Sequence, residues 1–387
     1  MASESILLSD LLQCLIECSQ KAARIAQIFR DENDLFQLLV EEKSPVEKDK
    51  KVFRDFKTLA DVLVQETIKK DVGQKFPTLT SNIQGEEQNS FQNSLGESIL
   101  VELSDSEEDT VALLSQVFDG KDHIARSLAT AAHSKDLACE KQYSSSCCIP
   151  ADSIGIWIDP IDATAEFIQG KNEETDDLGI QHYGLQCVCV LIGAYELQSG
   201  KPILGVVNQP FYKKETEGSR WESKYYWSLN YNPEFVTSDT LQNESQRKEK
   251  VIVLSSTESK ELQEIISTKY KIVHASGAGY KSLLVSCKKV DLYVLSQGTT
   301  HFWDTCGPHA LLLTQGGGIV KFNEVLNATD VKNCEDLLDK QIKYSLKGEN
   351  VATGSFRNAD GFIAYRNAED VIELIELLHE RGYMSRK

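Results

Sequence analysis

Two carboxylates flank a proline at Asp159-Pro160-Ile161-Asp162, with a hydroxyl two residues on at Thr164. Oxygen donors in a tight turn suit Mg²⁺, which takes carboxylates, waters and substrate phosphates into an octahedral shell. The same residue types serve an ordinary turn that caps the next helix, so this phrase alone leaves both readings open. Three further acids fall just past a strand or at a helix start: Asp61, Glu86 and Asp304. Two like charges about 4 Å apart repel by roughly 4 kcal/mol at an effective dielectric near 20, so five carboxylates sharing one crevice need cations. Divalent metal removes that repulsion and leaves a site that attracts phosphate. A second feature is Gly277-Ala278-Gly279-Tyr280-Lys281-Ser282, small residues leading into a helix. Backbone N–H groups at such a start can cradle phosphate, with Lys281 adding charge, although a tight turn also needs glycine.

The elements that must position these residues follow from the pattern. Ile154 to Ile158 is apolar and partly β-branched, as a strand covered on both faces should be, and Pro160 is expected to end its ladder. The acids then lie past the strand's carboxyl end, where open α/β sheets bind ligands. Apolar residues at helical spacing from Ile6 to Glu42, including Leu35, Leu38 and Leu39, predict a helix or a broken pair, followed by a charged linker from Glu41 to Lys51. Asp55 begins an extended stretch that turns helical at Thr58. Thr58 is the expected N-cap, so Asp61 falls in the first turn, where the helix dipole favours a carboxylate whatever its function. Asn82 to Gly85 reads as a short strand before Glu86-Glu87. The region from Gln88 to Ser153 offers one helix near Asp109 to Phe118 and no chemistry.

Strands are expected at Leu185 to Tyr195, Ile203 to Asn208 and Tyr225 to Asn230, with polar loops at Lys213 to Arg220 and Glu234 to Lys250. A second α/β run follows: strand Val251 to Leu254, helix Glu258 to Ser267, strand Lys271 to His274 and strand Val290 to Leu295. Then come Thr299 to Asp304, an apolar helix through Leu313, a glycine-led strand, strand Gly361 to Tyr365 and helix Glu369 to Arg381. Asn323 to Asn358 reads as a polar insertion.

Bulk composition narrows the function. With 41 Lys plus Arg against 59 Asp plus Glu, the formal charge of -18 argues against nonspecific binding to nucleic acid or an anionic membrane. The ten cysteines form no Cys-x-x-Cys pair and read as reduced thiols of a cytoplasmic protein. Met1-Ala2-Ser3-Glu4-Ser5 lacks the marks of a signal peptide, and the most apolar stretch, Cys187 to Ala194, is too short to span a bilayer.

Taken in order, Leu59-Ala60-Asp61, Gly85-Glu86-Glu87, Asp159-Pro160-Ile161-Asp162-Ala163-Thr164 and Trp303-Asp304 resemble the metal-binding motif of the Mg²⁺-dependent, lithium-sensitive phosphomonoesterases. That superfamily includes inositol monophosphatase, fructose 1,6-bisphosphatase and bisphosphate nucleotidase. Asp55 to Glu66, Tyr183 to Val188 and Gly277 to Leu283 are most similar to the branch acting at the 1-phosphate of inositol polyphosphates. The pair His301-Phe302 departs from an aromatic and a lysine more usual there.

The resemblance implies a layered α/β/α/β/α sandwich of the inositol monophosphatase and fructose 1,6-bisphosphatase type. It would comprise an amino-terminal α+β part, 1–232, and a carboxyl-terminal α/β part, 233–387. It implies two or three Mg²⁺ ions, inhibition by Li⁺, and hydrolysis of the 1-phosphate of inositol 1,4-bisphosphate and inositol 1,3,4-trisphosphate by a monomer. Glu86, Asp159 and the Ile161 carbonyl would hold one ion, and Asp159, Asp162 and Asp304 another, with Asp61 also among the metal residues. Thr164 paired with Asp61 would orient the attacking water, with Glu86 beside it. Substrate would meet Asp162, Ala163, Thr164, Gly277, Ala278, Lys281 and Thr299, with Ser255 and Thr257 as further contacts. A 3'(2'),5'-bisphosphate nucleotidase and a non-catalytic inositol phosphate sensor are the alternatives.

Overall fold

A computed structural model describes residues 4–31, 40–42, 56–118, 121–135, 143–215, 220–241, 249–328, 331, 333, 335–345 and 356–384. The helical continuation expected at Leu35, Leu38 and Leu39, and most of the linker expected from Glu41 to Lys51, lie outside them. By internal packing the chain forms two units. The first comprises Met1–Glu173, Gly184–Ile192 and Val206–Tyr225, and the second comprises Glu174–Tyr183, Gly193–Gly205 and Tyr226–Lys387.

In the first unit, α1 (Leu8–Asp31) buries the stripe Leu8, Leu11, Leu12, Leu15, Ile16, Ala22, Ile25, Ala26 and Phe29, the face its spacing predicts. Leu15 and Ile16 are fully buried, each stabilising the fold by about 1.5–3 kcal/mol. This stripe packs along α2 (Leu59–Lys75), which in turn lies on strand β2 (Ile154–Asp162). Val40–Glu42 and Phe56–Thr58 form a short antiparallel pair leading into α2.

Among its described residues the Gln88 to Ser153 stretch holds two α-helices, not one: α3 (Glu107–Ser115) and α4 (Asp122–His133). The second hides in the sequence because four of its six buried residues are alanine: Ile124, Ala125, Leu128, Ala129, Ala131 and Ala132.

β1 (Ile83–Gly85) pairs parallel with β2, Ile83 opposite Ile156 and Gly85 opposite Ile158. All nine residues of β2 are buried, as a strand covered on both faces requires. The strand does not stop before Pro160 as expected but runs on to Asp162. Pro160 lies beyond the last β1 pair, so its missing N–H removes no bond to that neighbour. The turn comes instead at Ala163, whose left-handed backbone (φ 69°, ψ 45°) starts the short helix α5 (Thr164–Gln169).

β3 (Cys189–Glu196), β4 (Pro202–Lys214), β5 (Trp221–Tyr231) and β6 (Glu234–Thr237) complete a sheet of order β6-β5-β4-β3-β2-β1. β6 occupies part of the stretch expected to be loop, pairing antiparallel with β5 from Tyr231 opposite Glu234.

The second unit contains a five-stranded sheet of order β8-β7-β9-β11-β10. Its strands are β7 (Val251–Leu254), β8 (Lys271–His274), β9 (Leu292–Leu295), β10 (Gly318–Lys321) and β11 (Phe362–Tyr365). β7 is parallel to β8 and β9, while β11 is antiparallel to β9 and β10. Among the described residues five helices accompany it: α6 (Lys260–Ile266), α7 (Ala278–Ser286), α8 (Phe302–Leu313), α9 (Phe322–Asn327) and α10 (Ala368–Glu380). Leu262, Leu292, Val320, Ile363, Leu374 and Leu378 share one core that joins α6 and α10 to this sheet.

Backbone approach sets the position of α8. A Cβ on Gly193 of β3 would stand 2.5 Å from the Gly307 nitrogen and 2.6 Å from the Cys306 carbonyl carbon, so only glycine admits the helix there. The expected polar insertion is also partly core: Tyr344 is fully buried, and its hydroxyl meets His309 of α8, which Gln341 meets on the other ring nitrogen.

Candidate metal centre and phosphate site

In the first unit the centre is built at the end of β2. Asp159 and Asp162 are 1% and 6% exposed, and each presents a carboxylate oxygen within 4.8 Å of the other. Two buried like charges at that range need a compensating cation. Hard oxygen donors fit Mg²⁺, so the residues present suit the ion.

Glu86 continues β1 past Gly85, and its N–H donates to the Ile158 carbonyl at 3.1 Å, which sets its backbone opposite Asp159. Asp61 comes from the first turn of α2, where it closes a capping box. Its Oδ2 accepts from the Thr58 N–H at 2.6 Å and the Thr58 hydroxyl at 2.7 Å, and its own N–H donates back to that hydroxyl. One turn on, Gln65 exchanges hydrogen bonds with the Glu87 backbone, donating to the carbonyl at 2.5 Å and accepting from the N–H at 2.9 Å. The i, i+4 spacing of Asp61 and Gln65 aligns the Asp61 face of α2 with the Glu86-Glu87 turn.

Thr164 opens α5, directly after the turn at Ala163. Its hydroxyl donates to the Ile161 carbonyl at 3.1 Å, and the Asp61 carboxylate accepts from the Thr58 hydroxyl. Between Ile161 and Thr164, Ala163 holds a conformation that costs a non-glycine residue roughly 1–2 kcal/mol. Such strain is concentrated at functional turns.

In the second unit the candidate residues follow the carboxyl ends of three parallel strands. Leu254 is opposite both His274 and Val294, so the loops after β7, β8 and β9 emerge at one edge. After β7, the Ser255 and Thr257 hydroxyls meet at 2.9 Å. Glu258, buried, accepts from the Ser296 N–H at 2.9 Å and the Ser296 hydroxyl at 2.5 Å, tying this loop to the one after β9. Burial pushes the Glu258 carboxyl up from the usual range, against those bonds.

After β8, Gly277 has φ 77° and caps α7, with Ala278 at its first position. Lys281 is 5% exposed, and its ammonium is drawn inward: it donates to the Ala275 carbonyl at 3.0 Å and lies 5.1 Å over the Tyr293 ring. After β9, Thr299 donates its N–H to Gln297, and Asp304 sits in the first turn of α8, its Oδ2 accepting from the His301 N–H at 2.6 Å. The unusual His301 stacks on Trp303, ring centroids 4.4 Å apart.

Sequence reasoning passed over two residues that tie these loops together, Gln65 and Glu258. Only Gln65 had a legible signal, its place one helical turn after Asp61.

A model described as the inositol monophosphatase family matches residues 78–350. The chain belongs to the inositol monophosphatase family. Inositol polyphosphate 1-phosphatase of Bos taurus is 41% identical over 94% of this chain and 96% of its own length. The Homo sapiens protein of the same name is 40% identical over 96% and 97%. A 3'(2'),5'-bisphosphate nucleotidase 1 of Dictyostelium discoideum is 34% identical over 49% of this chain and 59% of its own.

Among solved structures, the extragenic suppressor protein suhB of Bartonella henselae covers 95% of this chain and 98% of its own at 14% identity, with a TM-score of 0.52. The Thermotoga maritima IMPase covers 96% and 99% at 15% identity, with a TM-score of 0.51. These likenesses bear out the α/β fold of the family. Among the described residues no helix is long and apolar enough to cross a membrane.

Proposed function

We propose that this chain is a Mg²⁺-dependent phosphomonoesterase that removes the 1-phosphate from inositol 1,4-bisphosphate and inositol 1,3,4-trisphosphate. The observation that carries the reading is the pair of buried carboxylates of Asp159 and Asp162 at the strained end of β2, in a chain about 40% identical along nearly its whole length to inositol polyphosphate 1-phosphatases. Relatives named for bisphosphate nucleotides match only about half of the chain, which favours the inositol reading over the nucleotide one.

In this reading Asp159, Asp162, Glu86 and the Ile161 carbonyl hold Mg²⁺ in the first unit, and Asp304 contributes from the start of α8. Two or three ions are accommodated, with Asp61 flanking them. Bound Mg²⁺ supplies Lewis acidity, acidifying water and offsetting charge on the leaving inositol oxygen. The chain's own residues supply position. Thr164 turns its hydroxyl from the Ile161 carbonyl toward the attacking water, and the water's proton passes through that hydroxyl to Asp61, with Glu86 beside it. Ala163 and Thr164 set the phosphate against β2, while the Gly277 and Ala278 backbone, Thr299, Ser255 and Thr257 meet the inositol ring and its remaining phosphates. Lys281 contributes its charge from beneath, since its ammonium is held by Ala275.

The reading extends to a cytoplasmic monomer that binds no nucleic acid or membrane. The free thiols of Cys14 and Cys18, one helical turn apart in α1, suit a reducing compartment. Phosphate release from a panel of inositol phosphates and 3'-phosphoadenosine 5'-phosphate, with and without Mg²⁺, tests it. Turnover confined to the nucleotide would transfer the chain to the nucleotidase reading, and binding of inositol phosphate without release would make it a sensor.

A further inference from the structure

The geometry points to Asn358 as the positioning residue that fixes Asp304, a role that rests on Asp304 being a metal ligand as read above. Asn358 is 5% exposed and belongs to no helix or strand. Its Nδ2 donates to the His301 carbonyl at 2.8 Å and lies 3.1 Å from the Thr300 hydroxyl and 3.3 Å from the Thr305 hydroxyl. Its own N–H donates to the Thr300 carbonyl at 2.8 Å. The carbonyl of His301 can only accept, which assigns the amide nitrogen to that side. The amide oxygen is buried with no hydrogen-bond partner among the described residues, a cost of about 1–3 kcal/mol set against the bonds of the two amide N–H groups and the backbone N–H.

The neighbouring residues extend the latch. The Phe302 N–H donates to the Phe356 carbonyl at 2.8 Å, Arg357 forms an isolated antiparallel bridge with His301, and its Nε donates to the Gly298 carbonyl. The clasped segment, Thr300 to Thr305, contains Asp304 and the His301 N–H that orients its carboxylate. Six residues separate the end of β9 from α8. Glu258 holds their start through Ser296, and Asn358 holds their end. A ligand whose supporting hydrogen bonds are removed typically loses 10–100-fold in metal affinity. Asn358 therefore sets how tightly the Asp304 carboxylate engages Mg²⁺ without touching metal or substrate.

The test compares wild type, Asn358→Ser, which keeps one donor, and Asn358→Asp, which turns a carboxylate toward the His301 carbonyl. Mn²⁺ binding is measured by calorimetry, Mg²⁺ activation by phosphate release, and folding by thermal unfolding. The expected result is a Mg²⁺ requirement raised about 10-fold in Asn358→Ser and more in Asn358→Asp. Mn²⁺ affinity should weaken in parallel, with kcat at saturating Mg²⁺ within about threefold of wild type for Asn358→Ser. A lowered unfolding temperature with unchanged Mn²⁺ affinity and Mg²⁺ requirement would make Asn358 merely structural and overturn the inference. If wild type released no phosphate from any inositol phosphate, the catalytic reading would fall, while the Mn²⁺ titrations would still decide the role of Asn358.

Discussion

Gly193→Ala should impair catalysis by moving a helix that the substitution never replaces. The added Cβ would stand 2.5 Å from the Gly307 nitrogen and 2.6 Å from both the Cys306 carbonyl carbon and its Sγ. Ordinary contact is about 3.5 Å, so α8 must retreat by roughly 1 Å, because two of the three atoms are helix backbone. Gly205 on β4 already faces the Ala310 and Leu311 side chains of the same helix, so repacking on that side gives little relief. Overpacking of this kind costs about 1–3 kcal/mol of stability. The larger effect is at the helix start. Metal coordination tolerates about 0.2 Å, and a 1 Å misplacement can cost on the order of 10²-fold in rate. The assay is kcat for inositol 1,4-bisphosphate at saturating Mg²⁺, read beside the unfolding temperature. A folded Gly193→Ala protein with turnover within about threefold of wild type would refute the claim that α8 is held in register by glycine contacts on β3.

Asp159→Asn and Asp304→Asn should each lower turnover at least ~100-fold, about 3 kcal/mol of transition-state stabilisation, with circular dichroism unchanged. Near-normal turnover in either at saturating Mg²⁺ removes that residue from the site. Lithium at millimolar concentration should inhibit without relief by substrate, because a monovalent ion of similar size could replace Mg²⁺ at the proposed carboxylate ligands yet would stabilise a leaving oxyanion poorly. Purely competitive lines in a grid of substrate and Li⁺ would contradict this.

His309 predicts a pH effect on stability. Burial pushes this imidazole down from 6.5 to about 3, and its two ring nitrogens bond the Tyr344 hydroxyl and Gln341 Oε1. The unfolded chain takes up a proton below pH 6.5 that the folded chain refuses, so the stabilisation is full above 6.5 and lost as pH falls toward 3. At about 1.36 kcal/mol per unit, wild type should lose about 2 kcal/mol more than His309→Gln between pH 6.5 and 4.5. Equal losses in denaturant titrations would mean that the ring is protonated when folded.

Strand β2 and its two acids were legible because nine consecutive buried positions leave little other reading for an apolar run ending in carboxylates. Thr58 and Asp61 were legible as a helix start for a similarly local reason. What failed depended on partners distant in sequence. Pro160 was expected to end the strand, but whether a missing N–H matters depends on where the neighbouring strand stops. That the Lys281 ammonium meets the Ala275 carbonyl and the Tyr293 ring could not be read from spacing either, because β9 supplies the ring. Asn358, at the edge of a stretch that looked like a polar insertion, acts on residues more than fifty positions away. An alanine-rich face concealed α4, since alanine is apolar enough to bury without marking a period.

The regiochemistry of the reaction tests the central claim most directly. Inositol 1,4-bisphosphate is incubated with the protein and Mg²⁺, and the monophosphate formed is identified by phosphorus and proton magnetic resonance. The account predicts inositol 4-phosphate and free phosphate, with no product when Mg²⁺ is withheld. Formation of inositol 1-phosphate, or undiminished turnover with Mg²⁺ withheld, would contradict it.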